Sequence, residues 1–140
     1  MHPRTLAKVF AVARVCFGVS MIVAPRATLR AWIGDDAESA RTRMLIRSFG
    51  ARDLALGVGP LMAMRRGASA RGWIEAAVIG DAIDFAGTAL AFRHVPKLGA
   101  VLVLTSAAAA VAADLYAAPR LDQPADEPWQ EPAPASPVSY

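Results

Sequence analysis

Among its 140 residues the chain has one cysteine and two histidines. With Cys16 alone, no intramolecular disulfide and no thiolate metal cluster can form. His2 and His94 lack the company that a histidine metal site requires, so no metal and no cofactor are expected. No Gly-rich phosphate loop and no Ser/His/Asp set occurs, and no basic patch interleaved with aromatics of the kind nucleic acid requires. Charge is scarce too, at 19 % of residues against about a quarter in ordinary soluble domains. These absences point away from an enzyme and away from nucleic acid.

What the chain has instead is apolar length. Hydrophobic residues make up 55 %, above the roughly 45–50 % of soluble proteins. The excess is gathered in four blocks, about 6–24, 44–64, 73–92 and 98–118. Each is near the ~20 residues that a helix needs to cross a bilayer. The reading is all-α: a four-helix transmembrane bundle over residues 1–118, followed by a Pro-rich acidic tail over 119–140 that is disordered. The alternative is a soluble helical domain, whose main support is the charge inside the blocks.

Charge is unevenly placed. Residues 1–118 carry 14 basic and 8 acidic side chains, a balance of +6, and residues 119–140 carry one and four, a balance of −3. The basic excess lies mostly at the ends of the blocks, where it suits lipid phosphates. Basic residues are nearly all arginine and alanine is abundant, the composition of a GC-rich bacterial genome. The expected location is the bacterial plasma membrane, multi-pass. Counting Arg and Lys on the two sides gives a tie, and the short basic loop Arg65–Gly72 tips the choice toward cytoplasmic N- and C-termini.

The first block resembles a secretory signal, but Arg14 interrupts its apolar core and Pro25 follows Ala24 directly, so it reads as a retained helix. Ala7, Ala11, Arg14, Gly18 and Met21 share one of its faces, and Cys16 reads as packing. Ala27–Ile33 reads as a short interfacial helix, with Trp32 at headgroup level and Arg30 toward phosphate. Gly34, Asp35 and Asp36 read as a stop and turn. On the second block Gly50, Asp53, Gly57, Pro60 and Met64 share a face. On the third, Ala77, Gly80, Asp81, Asp84, Gly87, Thr88 and Ala91 form a small and polar face, opposite an apolar one for lipid. The fourth block is Ala-rich and suits close approach of a neighbouring helix; Asp114, near its end, can reach the interface.

The charged residues of the first three blocks share one depth. Arg14, Arg52, Asp53, Asp81 and Asp84 each lie within about two residues, or roughly 3 Å, of a block midpoint. An ionised side chain facing lipid there costs roughly 2.5–3.5 kcal/mol, so five would cost on the order of 12–17 kcal/mol, more than a typical total stability. They must face one another or a wet cavity. With Arg47 bent inward as a third cation the layer is neutral; without it one aspartate is in surplus, and Asp81 and Asp84, adjacent at i,i+3, are the natural holders of a shared proton. Gly50, Gly57, Gly80 and Gly87 form the surround.

Three uses of such a layer follow. It can be an interhelical ion-pair network that fixes helix register in a non-enzymatic protein whose partners are the lipid bilayer and other membrane proteins or a second copy of itself. It can be a proton or cation site in a small carrier, using Asp81 and Asp84. It can be the base of a pocket for a lipid or apolar metabolite. An enzyme of the CDP-alcohol phosphotransferase type fits poorly, because Phe85 and Ala86 follow Asp84 where that signature places Gly, and no second acid pair lies downstream.

The segment Phe49-Gly50-Ala51-Arg52-Asp53-Leu54-Ala55-Leu56-Gly57, followed by Asp81-Ala82-Ile83-Asp84, resembles a pattern in small, uncharacterised four-helix membrane proteins of actinobacteria, within the broad DoxX-like group of domains of unknown function. The resemblance spans roughly residues 6–116. It implies an integral membrane protein of about four helices and no particular activity. The cysteine and quinone-linked features suggested for DoxX-type proteins have no counterpart in this chain.

Overall fold

A computed structural model describes residues 2–34 and 38–121 of the chain. Their regular structure is all helical: α1 (Pro3–Val23), α2 (Pro25–Ile33), α3 (Ala40–Arg65), α4 (Arg71–Ala91) and α5 (Lys97–Ala117), with a closing 3-10 turn over Ala118–Arg120. The four expected blocks correspond to α1, α3, α4 and α5. The second is longer than its apolar run, because Arg41 and Arg43 continue the helix outward; its 26 residues span about 39 Å.

Local chemistry sets the boundaries. α1 has Pro3 in its first turn, where a missing N–H costs nothing, and His2 Nδ1 accepts from the Arg4 N–H. α2 begins on Pro25 directly after α1 ends. α3 closes on Gly67, whose φ of 68° only glycine adopts without strain, with the Ala68 N–H donating to the Ala63 carbonyl at 2.9 Å. Pro60 lies buried inside α3 without ending it, so the Leu56 carbonyl goes without its usual intrahelical donor.

The helices associate as two tight pairs, α1 with α3 and α4 with α5, and the contacts between pairs are sparser. Glycine makes the first pair close. A Cβ on Gly18 would stand 2.6 Å from the Gly50 carbonyl oxygen, and one on Gly57 2.6 Å from the Ala11 carbonyl oxygen. The faces buried here, Ala7, Ala11, Gly18 and Met21 on α1 and Gly50, Asp53, Gly57 and Pro60 on α3, are faces that helical periodicity groups together.

The apolar core is split between the two ends of the bundle. At one end Ala7, Ala70, Ile74, Ala117, Ala118 and Leu121 pack together. At the other, Met21, Leu29 and Ile46 form a second cluster, with Trp32 and Ile33 against it. Between the ends lies the charged layer. Trp32 packs against this cluster, where α2 folds back over the end of the bundle and buries Leu29. Cys16 is exposed and packs against no core cluster. Leu121 is buried, so packed structure continues past Ala118. The expected turn at Asp35 and Asp36 and the expected disorder of 122–140 lie outside the described residues.

The outer surface is strongly apolar. Leu90 is 86 %, Leu98 71 % and Ile79 64 % exposed, while Asp53, Asp81 and Asp114 are buried. α1 and the stretch Lys97–Arg120 are each long and apolar enough to cross a membrane.

Candidate functional site

All five charged residues of the expected layer come together and, with Asp114, form two triads. In the first, Arg14 on α1 faces Asp81 on α4 with both guanidinium nitrogens, Nη1 donating to Oδ1 at 3.0 Å and Nη2 to Oδ2. Nη2 also donates to Asp114 Oδ2 on α5 at 3.3 Å. In the second, Arg52 on α3 donates to both oxygens of Asp84 on α4, at 3.2 and 2.6 Å. Its Nε and Nη2 also donate to Asp53 Oδ1, at 3.2 and 3.0 Å. Asp81 and Asp84 are one helical turn apart, so α4 carries one member of each triad, and the triads occupy successive levels of the bundle.

These are fork-to-fork contacts, the geometry in which guanidinium and carboxylate bind most strongly. They join the two helix pairs where apolar contacts are sparse: every bond of Arg14, and the bidentate bond of Arg52, crosses from α1 or α3 to α4 or α5. The Arg14 triad is the drier, with side chains 10, 10 and 2 % exposed for Arg14, Asp81 and Asp114, against 30 and 28 % for Arg52 and Asp84.

One placement decides between the two alternatives open for Arg47, and that of Asp114 differs from the sequence reading. Arg47 is not a third cation of the layer. It is exposed and donates from Nε to the Ile22 carbonyl at 3.2 Å, satisfying an orphan acceptor in the last turn of α1. Asp114 is a member of the layer and does not reach the interface. Helical side chains lean toward the N-terminus of their own helix, which carries the Arg14 guanidinium toward the end where Ala7 meets Ala117, and so to Asp114. Midpoint counting places Asp114 too far away because it locates Cα atoms and ignores this lean. A sequence signal was available: Asp114 continues the face of Ala100, Ala107 and Ala110, which α5 buries.

The layer therefore holds two guanidinium groups and four carboxylates. Among the surrounding glycines, Gly50 and Gly57 are at the α1–α3 contact and Gly80 lies beside the Arg52 guanidinium, its notional Cβ 3.8 Å from Cζ. Gly87 has open space around it. One turn beyond Asp84, the Thr88 hydroxyl is buried without a hydrogen-bond partner among the described residues.

A chamber of about 340 Å³ lies against the layer, between the helix pairs. Arg14, Arg52, Asp53, Asp81 and Asp84 form its polar side; Phe10, Phe17, Phe49 and Trp32 line its walls, and Ser106 and Ala107 of α5 also line it. Phe17 and Phe49 are 43 and 45 % exposed, so the chamber opens past them to the apolar exterior. Arg52 lies 5.6 Å from the centre of the Phe49 ring, within cation–π range.

No protein-family model, no curated protein and no solved structure matches the chain. The functional reading therefore rests on this chain's own residues.

Proposed function

We propose that the chain is a small, non-enzymatic, multi-pass membrane protein whose four long helices cross the bilayer, and that its inter-pair chamber binds an apolar molecule taken from the lipid. The single observation carrying this reading is the inverted distribution of polarity around one void. Large apolar side chains face outward, four aspartates and two arginines face inward, and a chamber with aromatic walls opens sideways to the apolar exterior. A soluble monomer rarely exposes so much contiguous apolar surface. A bilayer solvates that surface and drives the charges inward. α3 and α4 fit the same frame, because the charges within their middle stretches, Arg52, Asp53, Asp81 and Asp84, are those the triads satisfy.

On this reading the triads fix the two helix pairs in register, and the aromatic walls supply the contact area for a ligand. A void of this size falls within the range of small-molecule sites, roughly 300–1,000 Å³. Kinship with the DoxX-like group is part of the proposal and is supported by the two sequence segments quoted above. Both termini are placed in the cytoplasm, with the bilayer itself as the first partner.

The test uses Trp32 as a reporter, with Trp73 and Trp129 changed to Phe, in protein reconstituted into lipid nanodiscs. Bromobenzene should quench Trp32 saturably, and Ser106→Phe, which fills the chamber from its α5 side, should abolish the saturable part. Quenching that rises linearly with probe in both proteins would reduce the chamber to a packing defect.

A further inference from the structure

We infer that the ligand of the chamber is a lipophilic cation, an apolar or aromatic body carrying one protonated amine or guanidinium, whose charged end donates to Asp53. This rests on the chamber reading above and specifies its ligand class. Two observations carry it.

The first is the charge inventory. Two guanidinium groups share four carboxylates, so with all groups ionised the layer carries a formal charge of −2. Arg47 does not repair the deficit, since it is exposed and bonded to the Ile22 carbonyl. Among the described residues no other Lys or Arg side chain pairs with these carboxylates. A buried layer this far from neutrality attracts positive charge.

The second is where a bonding site is left open. Both oxygens of Asp81 are taken by Arg14, and both of Asp84 by Arg52. Asp114 and Asp53 each keep one oxygen without a donor among the described residues, Oδ1 of Asp114 and Oδ2 of Asp53, whose Oδ1 accepts both bonds from Arg52; Asp53 is the one of the two that faces the chamber. Asp53 is only 6 % exposed, yet it lines the chamber. An acceptor oxygen left open toward a cavity can take a donor from a bound molecule, and an ammonium N–H in the chamber would supply one. The walls suit the same partner, since Phe10, Phe17, Phe49 and Trp32 offer ring faces and apolar area to a cation with an organic body. A bare divalent metal fits less well: each carboxylate is already engaged by a guanidinium, and no group of three acidic, Cys or His side chains among the described residues has metal-holding geometry.

The experiment compares three probes that share one apolar body and differ in charge: phenylbutylammonium, phenylbutanol and phenylbutyrate. Binding is read by Trp32 fluorescence in nanodiscs of zwitterionic lipid at pH 7, with empty nanodiscs subtracted. The expected order is ammonium tightest, alcohol next, carboxylate weakest. Asp53→Asn, nearly isosteric, should weaken the ammonium by about tenfold or more, the scale of one charge-assisted hydrogen bond, and leave the alcohol unchanged. Asp114→Asn removes the same formal charge from a position that does not line the chamber, and should weaken the ammonium much less.

Equal binding of ammonium and alcohol would overturn the cation assignment while leaving an apolar chamber. That result, with protonated-carboxyl bands in the infrared spectrum of the ligand-free protein, would identify protons as the balancing charge. Equal losses in Asp53→Asn and Asp114→Asn would overturn the contact with Asp53. No saturable binding of any probe would overturn the assignment together with the chamber reading beneath it.

Discussion

Arg52 on α3 and Asp84 on α4 meet through two parallel hydrogen bonds, Nη1 to Oδ1 at 3.2 Å and Nη2 to Oδ2 at 2.6 Å. Arg14 repeats the arrangement with Asp81 one level away. The two contacts differ in how dry they are, and that difference ranks their energetics. Breaking a buried pair from one side leaves an unpaired charge and costs about 3–5 kcal/mol. Arg14→Met should approach that cost, because it strands Asp81 and Asp114. Arg52→Met should cost less, since its side chain is 30 % exposed and water or lipid headgroups can partly solvate what remains. Reversible unfolding in mixed micelles, followed by circular dichroism, measures the order; equal losses would argue against the difference in burial.

Arg47 provides the contrast. It is the closest arginine in sequence to the layer's Arg52, yet it only caps a carbonyl at an exposed site. Arg47→Ala should therefore cost no more than about 1 kcal/mol and leave ligand affinity in the chamber unchanged. A loss as large as that of Arg14→Met would place Arg47 back in the network.

Glycines divide in the same way. Gly18→Ala sets a methyl 2.6 Å from the Gly50 carbonyl oxygen and 2.7 Å from the Leu54 backbone nitrogen. Backbone atoms in a helix cannot step aside singly, so the α1–α3 pair must separate, at a cost of about 1–3 kcal/mol. Gly87→Ala meets nothing within 4 Å, and should be neutral or stabilising by up to about 1 kcal/mol through helix propensity. Melting temperatures of the two variants should move in opposite directions or, at the least, by clearly different amounts.

Cys16 tests the bilayer itself. It is exposed on α1 and is the sole cysteine, so labelling has no background. In intact vesicles a membrane-impermeant sulfonated maleimide should leave it largely unmodified, and SDS should make it fully reactive, because a thiol surrounded by hydrocarbon neither ionises readily nor meets a charged reagent. Rapid labelling in intact vesicles would show that this face of α1 is in water.

By itself, the sequence determined the number of long helices, their approximate limits and, for the first three, which face would be buried. These follow from local quantities: the length of an apolar run, the 3.6-residue period and the boundary residue Pro25. It also pointed to a shared polar interior for Arg14, Arg52, Asp53, Asp81 and Asp84, since five charged side chains at one level of apolar blocks cannot together face apolar surroundings unpaired. Only the tertiary structure decided the pairing. Which aspartate an arginine reaches depends on the axial offset between helices and on the lean of a long side chain along its own helix, and neither is written in spacing. Those two quantities bring Asp114 into the layer and send Arg47 to the end of α1. They leave two arginines among four aspartates beside an open chamber, and the functional inference follows from that imbalance.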